Sequence, residues 1–124
     1  ELKIENCSVV GGTITSAPEL IGGSYDNGDK VGGILGYGTA DAEIDGCSVS
    51  DITITAYRDL GGIAGCTGGK VTNCSVTNST IRQDNTNGYK SSVTTYDAIV
   101  GRNTGSNDYS ISNTASGCTV ESVN

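Results

Sequence analysis

The chain has 124 residues, a formal net charge of −7, and 19 glycines against one proline. It contains no His, Trp, Phe or Met. That excludes a Ser-His-Asp or Cys-His device and a His-based metal site within the chain. The acidic balance argues against a nucleic-acid partner, which needs a basic face to release counterions. No stretch approaches the ~20 apolar residues of a membrane-spanning helix.

A core without Phe, Trp or Met has to be built from Ile, Val, Ala and Cys, and small or β-branched side chains suit narrow pleated walls. In chain order, the first segment reads Ile4-Glu-Asn-Cys7-Ser-Val9. The phrase returns as Ile44-Asp-Gly-Cys47-Ser-Val49, Val71-Thr-Asn-Cys74-Ser-Val76 and Ala115-Ser-Gly-Cys118-Thr-Val120. A second phrase alternates with it, as Val31-Gly-Gly-Ile34-Leu-Gly36, Leu60-Gly-Gly-Ile63-Ala-Gly65 and, altered, Tyr96-Asp-Ala-Ile99-Val-Gly101. Alternating phrases at near-constant spacing are the mark of a repeat architecture.

Alternation along a strand turns the four cysteines and their Val partners inward and Ser8, Ser48, Ser75 and Thr119 outward. The preceding Asn6, Gly46, Asn73 and Gly117 are residue types that accept a left-handed backbone, so a corner is expected there. Thr13-Ile14, Thr53-Ile54 and Thr80-Ile81 read as a second strand, and the Gly-Gly-Ile phrase as a third, with Gly36, Gly65 and Gly101 at the next corner. Four residues before each cysteine stand Lys3, Glu43, Lys70 and Thr114, a column of alternating sign. The extra length in 16–30, 83–96 and 103–114 is polar and rich in Gly, Asn, Asp and Ser, which are loop signals. These features predict one all-β domain over 1–124, a right-handed parallel β-helix (β-solenoid). It would have about three and a half coils of three short strands each, stacked about 4.8 Å apart. The chain begins almost inside its first repeat and stops inside its fourth, which suggests a mature protein or a piece cut from something longer. Loops folding over one end, or end-to-end self-association, would cover the exposed sheet edges.

The segment from Val31 to Val49 and that from Leu60 to Val76 resemble the GLUG-motif repeat. That family couples a Gly-Gly-aliphatic-aliphatic-Gly run to an Ile-x-Asn/Gly-Cys element. The resemblance implies a tandem array in a secreted or surface-attached bacterial protein, such as an adhesin or the non-catalytic part of a surface peptidase. It supplies no catalytic residue. The third copy departs from the pattern at Asp97-Ala98.

The column cysteines read as a buried thiol ladder, whereas Cys66 falls outside it, just past Gly65 and nearer the surface, where it is expected to be inert, with a reactive or intermolecularly paired thiol as the alternative. No metal site is expected. The Asp26-Asn-Gly-Asp29 stretch is first a turn, with calcium as its alternative. Two carboxylate pairs, Asp41/Glu43 and Asp26/Asp29, are what remains for glycosidase chemistry, and neither is flanked by a cluster of arginines. The expectation is a non-enzymatic extracellular or cell-surface module for adhesion or glycan binding, with no cofactor. Its partners would be glycans or surface proteins. Exposed aromatics at Tyr25, Tyr89 and Tyr96 are the candidate ligand contacts, in the loops at 16–30 and 83–96. A structural spacer and a polysaccharide-active fragment are the alternatives.

Overall fold

The computed structural model describes residues 1–17, 19–21, 24–26, 29–86 and 95–124, and their regular structure is all β-strand. The first pass of the chain contains β1 (Lys3–Glu5), β2 (Ser8–Thr15), β3 (Glu19–Ile21), β4 (Ser24–Asp26), β5 (Asp29–Gly32) and β6 (Leu35–Gly38). The second contains β7 (Glu43–Asp45), β8 (Ser48–Ala56), β9 (Arg58–Gly61) and β10 (Ala64–Thr67). The third contains β11 (Lys70–Thr72), β12 (Ser75–Thr77), β13 (Thr80–Asp84), β14 (Tyr96–Asp97) and β15 (Val100–Asn103). The chain closes with β16 (Thr114–Ser116) and β17 (Thr119–Val123).

Like strands of successive passes pair in parallel at matching residues. Ile4, Ile44 and Val71 share one level, and Val31, Leu60 and Tyr96 another. Ser8, Ser48 and Ser75 share a third, where the Ser48 and Ser75 N–H groups donate to the carbonyls of Cys7 and Cys47 at 3.0 Å. Each three-residue strand therefore has its hydrogen-bonding groups met by its neighbours in space instead of along the chain. The core lies between these ladders and is richest in the second and third passes. Ile54, Leu60, Ile63, Val76 and Ile81 are fully buried, whereas Ile4, Val9, Ile14 and Ile34 of the first pass are half-buried. A buried Val or Ile contributes roughly 1.5–3 kcal/mol, so the middle passes carry most of the hydrophobic stabilisation.

Several sequence expectations are corrected. Each complete pass feeds four parallel ladders, not three, because the Ile44–Val71 segment forms its own. The ladder of β2 and β8 also bends. Asn6, Gly46 and Asn73 turn a left-handed corner as expected, and Gly11, Asp51, Asn78 and Gly117 turn another five residues on (φ 75°, 56°, 50° and 64°). Gly117-Cys118 therefore belongs to the second corner. Thr119 pairs with Thr80 and Thr114 with Ser75, which puts Cys118 level with Ser79 and leaves Asn113 to follow Cys74 in the thiol column. The charge column is real for Lys3, Glu43 and Lys70 but does not include Thr114. Gly36, Gly65 and Gly101 lie within β6, β10 and β15, not at a corner. Residues 16–30 are not all loop, since Leu20 pairs antiparallel with Tyr25.

The Gly-Gly phrase has a packing reason. A Cβ on Gly62 would strike the Ala98 carbonyl of the next pass and come within 2.8 Å of both Val76 methyls. Gly33 is pressed in the same way by the Gly62 carbonyl. Ala98 stands at the same level in the terminal strand pair, where no described strand lies beyond it. A methyl is tolerated there, which accounts for the altered third phrase.

Candidate functional site

A cleft of about 600 Å³ opens beside the last pass. Its floor is apolar, made of Ile99 and Val100 from the edge of the core and the exposed Ala115, which follows Val76 in its ladder. Its rim is polar: Asp97, Asn103, Asn107, Asp108, Tyr109 and Ser110. The rim loop runs where a further strand beside β11 would lie, and it is tied down at several points. Asn107 Nδ2 donates to the carbonyls of Gly68 and Gly69 at 3.1 and 2.9 Å, and the Tyr109 hydroxyl donates to Gly69 at 2.7 Å. Burial raises the Tyr109 pKa, so the phenol remains a donor.

Asn113 anchors the far side of the loop. Its Oδ1 accepts from the Cys74 N–H at 2.9 Å, while Nδ2 donates to the carbonyls of Val71 (2.8 Å) and Tyr109 (2.9 Å). It thus completes the hydrogen-bonding capacity of a nearly buried amide. Asp108 Oδ1 accepts from both the N–H and the hydroxyl of Ser110 (3.0 and 2.6 Å), which lowers the Asp108 pKa and keeps it charged. The sequence contains one hint of this arrangement, the Asp-x-Ser spacing at 108–110, which suits an Asx turn.

Tyr96 is in β14 at the level of Leu60 and packs partly buried against the core. Tyr25 is in β4, paired with Leu20. Tyr89, and Asn27-Gly28 of the proposed calcium turn, lie outside the described residues. Asp29 instead meets Lys30 Nζ at 2.7 Å and Arg58 at 3.4 Å. Burial opposes ionisation of Asp29, yet these cations outweigh it and its pKa is lowered. Asp41 sits in the turn before β7, not on a strand beside Glu43. With Glu1, Glu43 and Lys70 it lines a smaller depression of about 390 Å³. Among the described residues no group of His, Cys, Asp or Glu is arranged to hold a metal.

A second polar cluster surrounds Asp59, which is fully buried at a left-handed residue (φ 54°). Neither carboxylate oxygen has a hydrogen-bond partner, and the nearest cation is Arg102 at 3.7 Å. Cys66 lies between Tyr37 and Arg102 in its ladder and is buried, contrary to its expected place near the surface. Burial, reinforced by the negative charge of Asp59, raises its pKa and leaves the thiol protonated and unreactive. Cys7 is the exposed thiol instead, because no described strand covers that edge.

The sequence profile described as the GLUG motif matches residues 30–55 and 56–82. The chain carries two GLUG repeats. Each runs from the β5 or β9 strand through the Gly-Gly phrase to the strand after the left-handed corners. No curated protein and no solved structure matches the chain. The GLUG repeats build the best-buried part of the core, while every described residue lining the 600 Å³ cleft lies beyond residue 82. The motif therefore accounts for the scaffold, and the chemistry of the cleft comes from residues outside it.

Proposed function

We propose that the parallel ladders form a right-handed β-helix of about three and a half coils, a solenoid that carries variable loops on a constant frame. On this reading the chain is a non-enzymatic extracellular or cell-surface module for adhesion or glycan binding. The observation that carries it is the cleft beside the last pass. An apolar floor of Ile99, Val100 and Ala115 under a rim of amides, hydroxyls and carboxylates matches the amphipathic faces of a sugar. The rim is held by backbone carbonyls of the preceding pass, so little ordering remains to be done on binding. A glycan array tests this directly, with Asp97→Ala, Tyr25→Ala and Tyr89→Ala as arms. Loss of signal in Asp97→Ala assigns binding to the cleft, and loss only in the tyrosine variants moves it to the loops. Turnover of a polysaccharide that depends on Asp41 or Glu43 would make the chain an enzyme and overturn the reading.

A structural spacer is the second reading, favoured by the unfinished ends. Ile4, Val9 and Ile14 stay half-buried at one end, and Val120 is 40% exposed at the other. Copies stacked end to end would continue both sets of levels. Concentration-dependent sedimentation together with a blank glycan array would support it.

A further inference from the structure

The hydrogen-bonding inventory of the cleft is lopsided. Asn107 Nδ2 is engaged with Gly68 and Gly69, both Asn113 amide protons are engaged, and the Tyr109 hydroxyl donates to Gly69. The Ser110 hydroxyl is given to Asp108, and Asn103 Nδ2 donates to the Asn107 carbonyl at 2.6 Å. Among the side chains of the lining, the donors are thus almost all spent on holding the loop in place. Acceptors are what remain: Asp97 and Asp108 each commit one named oxygen, Oδ1, and keep Oδ2, while Asn107 keeps its Oδ1. Among the described residues no Lys or Arg lines the cleft, and the whole chain has a net charge of −7.

An acceptor-rich, negatively charged concavity selects its ligand by sign. An anionic group brought to the rim meets two carboxylates and, among the described lining residues, no cation to replace its lost hydration, which is unfavourable. A hydroxyl finds an acceptor, and an ammonium finds a charge-assisted one. Resting on the glycan-binding reading above, we infer that the cleft takes a donor-rich saccharide, neutral or bearing a free amino group, and rejects carboxylated or sulfated ones. The order of affinity is amino sugar, then neutral sugar, then anionic sugar.

Titration calorimetry at low salt with three oligosaccharides of equal length tests this order: a glucosamine oligomer, an N-acetylglucosamine oligomer and a galacturonate oligomer. The glucosamine oligomer binds tightest, and Asp108→Asn and Asp97→Asn each weaken it about tenfold, the scale of one charge-assisted hydrogen bond. The same substitutions change affinity for the neutral oligomer less. Asp41→Asn, outside the cleft but with the same change in net charge, leaves both affinities in place. Melting curves of all variants separate loss of binding from loss of folding. Tighter binding of the galacturonate oligomer, or an equal drop in Asp41→Asn, overturns the inference while the glycan reading stands. If none of the three binds, the glycan reading falls and takes the inference with it.

Discussion

The second pass, from β7 to β10, and the last stretch, from β14 to β17, use related phrases to different effect. In the second pass a neighbour lies on both sides of each strand, so Gly62 has no room for a methyl and Ile54, Leu60 and Ile63 are sealed. In the last stretch described strands cover only one side. Ala98 replaces the glycine, Asn113 replaces the cysteine, and Val120 is partly in solvent. The same local phrase is therefore a strict packing requirement in one place and a loose preference in the other. The relaxed end is where the chain has room for a cleft.

Thiol chemistry gives the widest expected contrast. Cys7 should react with a maleimide at close to the rate of a free thiol, whereas Cys47, Cys66 and Cys74 wait for opening of the fold, about a thousandfold slower for a domain of ordinary stability. Burial also raises the Cys74 pKa, which slows it further. Fast native labelling of Cys66 would place that thiol at the surface and break the contrast.

Truncation of the core comes next. Ile54→Ala removes a fully buried side chain and is expected to cost about 4 kcal/mol in urea unfolding, whereas Val120→Ala costs below about 1. Equal losses at the two sites would mean that the last stretch is as well packed as the second pass.

The glycine comparison is sharper in meaning and smaller in size. Gly62→Ala pushes a methyl into the Ala98 carbonyl and Val76, for a loss of about 3 kcal/mol. The reciprocal Ala98→Gly changes stability by about 1 kcal/mol or less, mostly through the unfolded chain. A mild Gly62→Ala would show that the passes are further apart than the ladders imply.

The smallest effect is acid sensitivity. Asp45 accepts hydrogen bonds from Thr72 (2.8 Å) and Asn73 (2.9 Å) of the next pass, and these lower its pKa. A carboxylate whose pKa is lower folded than unfolded stabilises fully above its unfolded value of about 3.9 and loses that contribution as pH falls through the folded value. Melting temperature should therefore drop below about pH 4, and Asp45→Asn should shrink the drop. An unchanged acid profile in that variant would assign the sensitivity to other groups, Asp29 first, since its pKa is also lowered.

Much of the scaffold was legible because it depends on residue type at a fixed spacing. Alternating Cys-Ser-Val, left-handed Asn or Gly before the cysteine, and matched Thr-Ile pairs all reappear at the same ladder level in the first three passes. The fourth copy was misread for a physical reason. Both corners of the bent ladder use a small or Asx residue ahead of a strand, so Gly117-Cys118 imitates Gly46-Cys47 although it belongs five residues further on. Cys118 even repeats the thiol contact of the column, with Sγ 3.5 Å from the carbonyl two residues back, as Cys47 has at 3.6 Å. Apart from the Asp-x-Ser spacing at 108–110, the cleft was not legible. Asp97, Asn107 and Asp108 look like ordinary loop polarity until the loop's path over Gly68 and Gly69 brings them to one rim.

By itself, the sequence determined that the chain is all β, that its phrases stack in parallel and which Val and Ile of those phrases face inward in the first three passes, because side-chain alternation and backbone permissiveness are local properties. Tertiary structure decided which copy lies over which, where a methyl is forbidden, and which polar side chains still have hydrogen bonds to offer. Those outcomes depend on what occupies the adjacent pass, and contacts between residues some 40 positions apart leave no local mark on the chain.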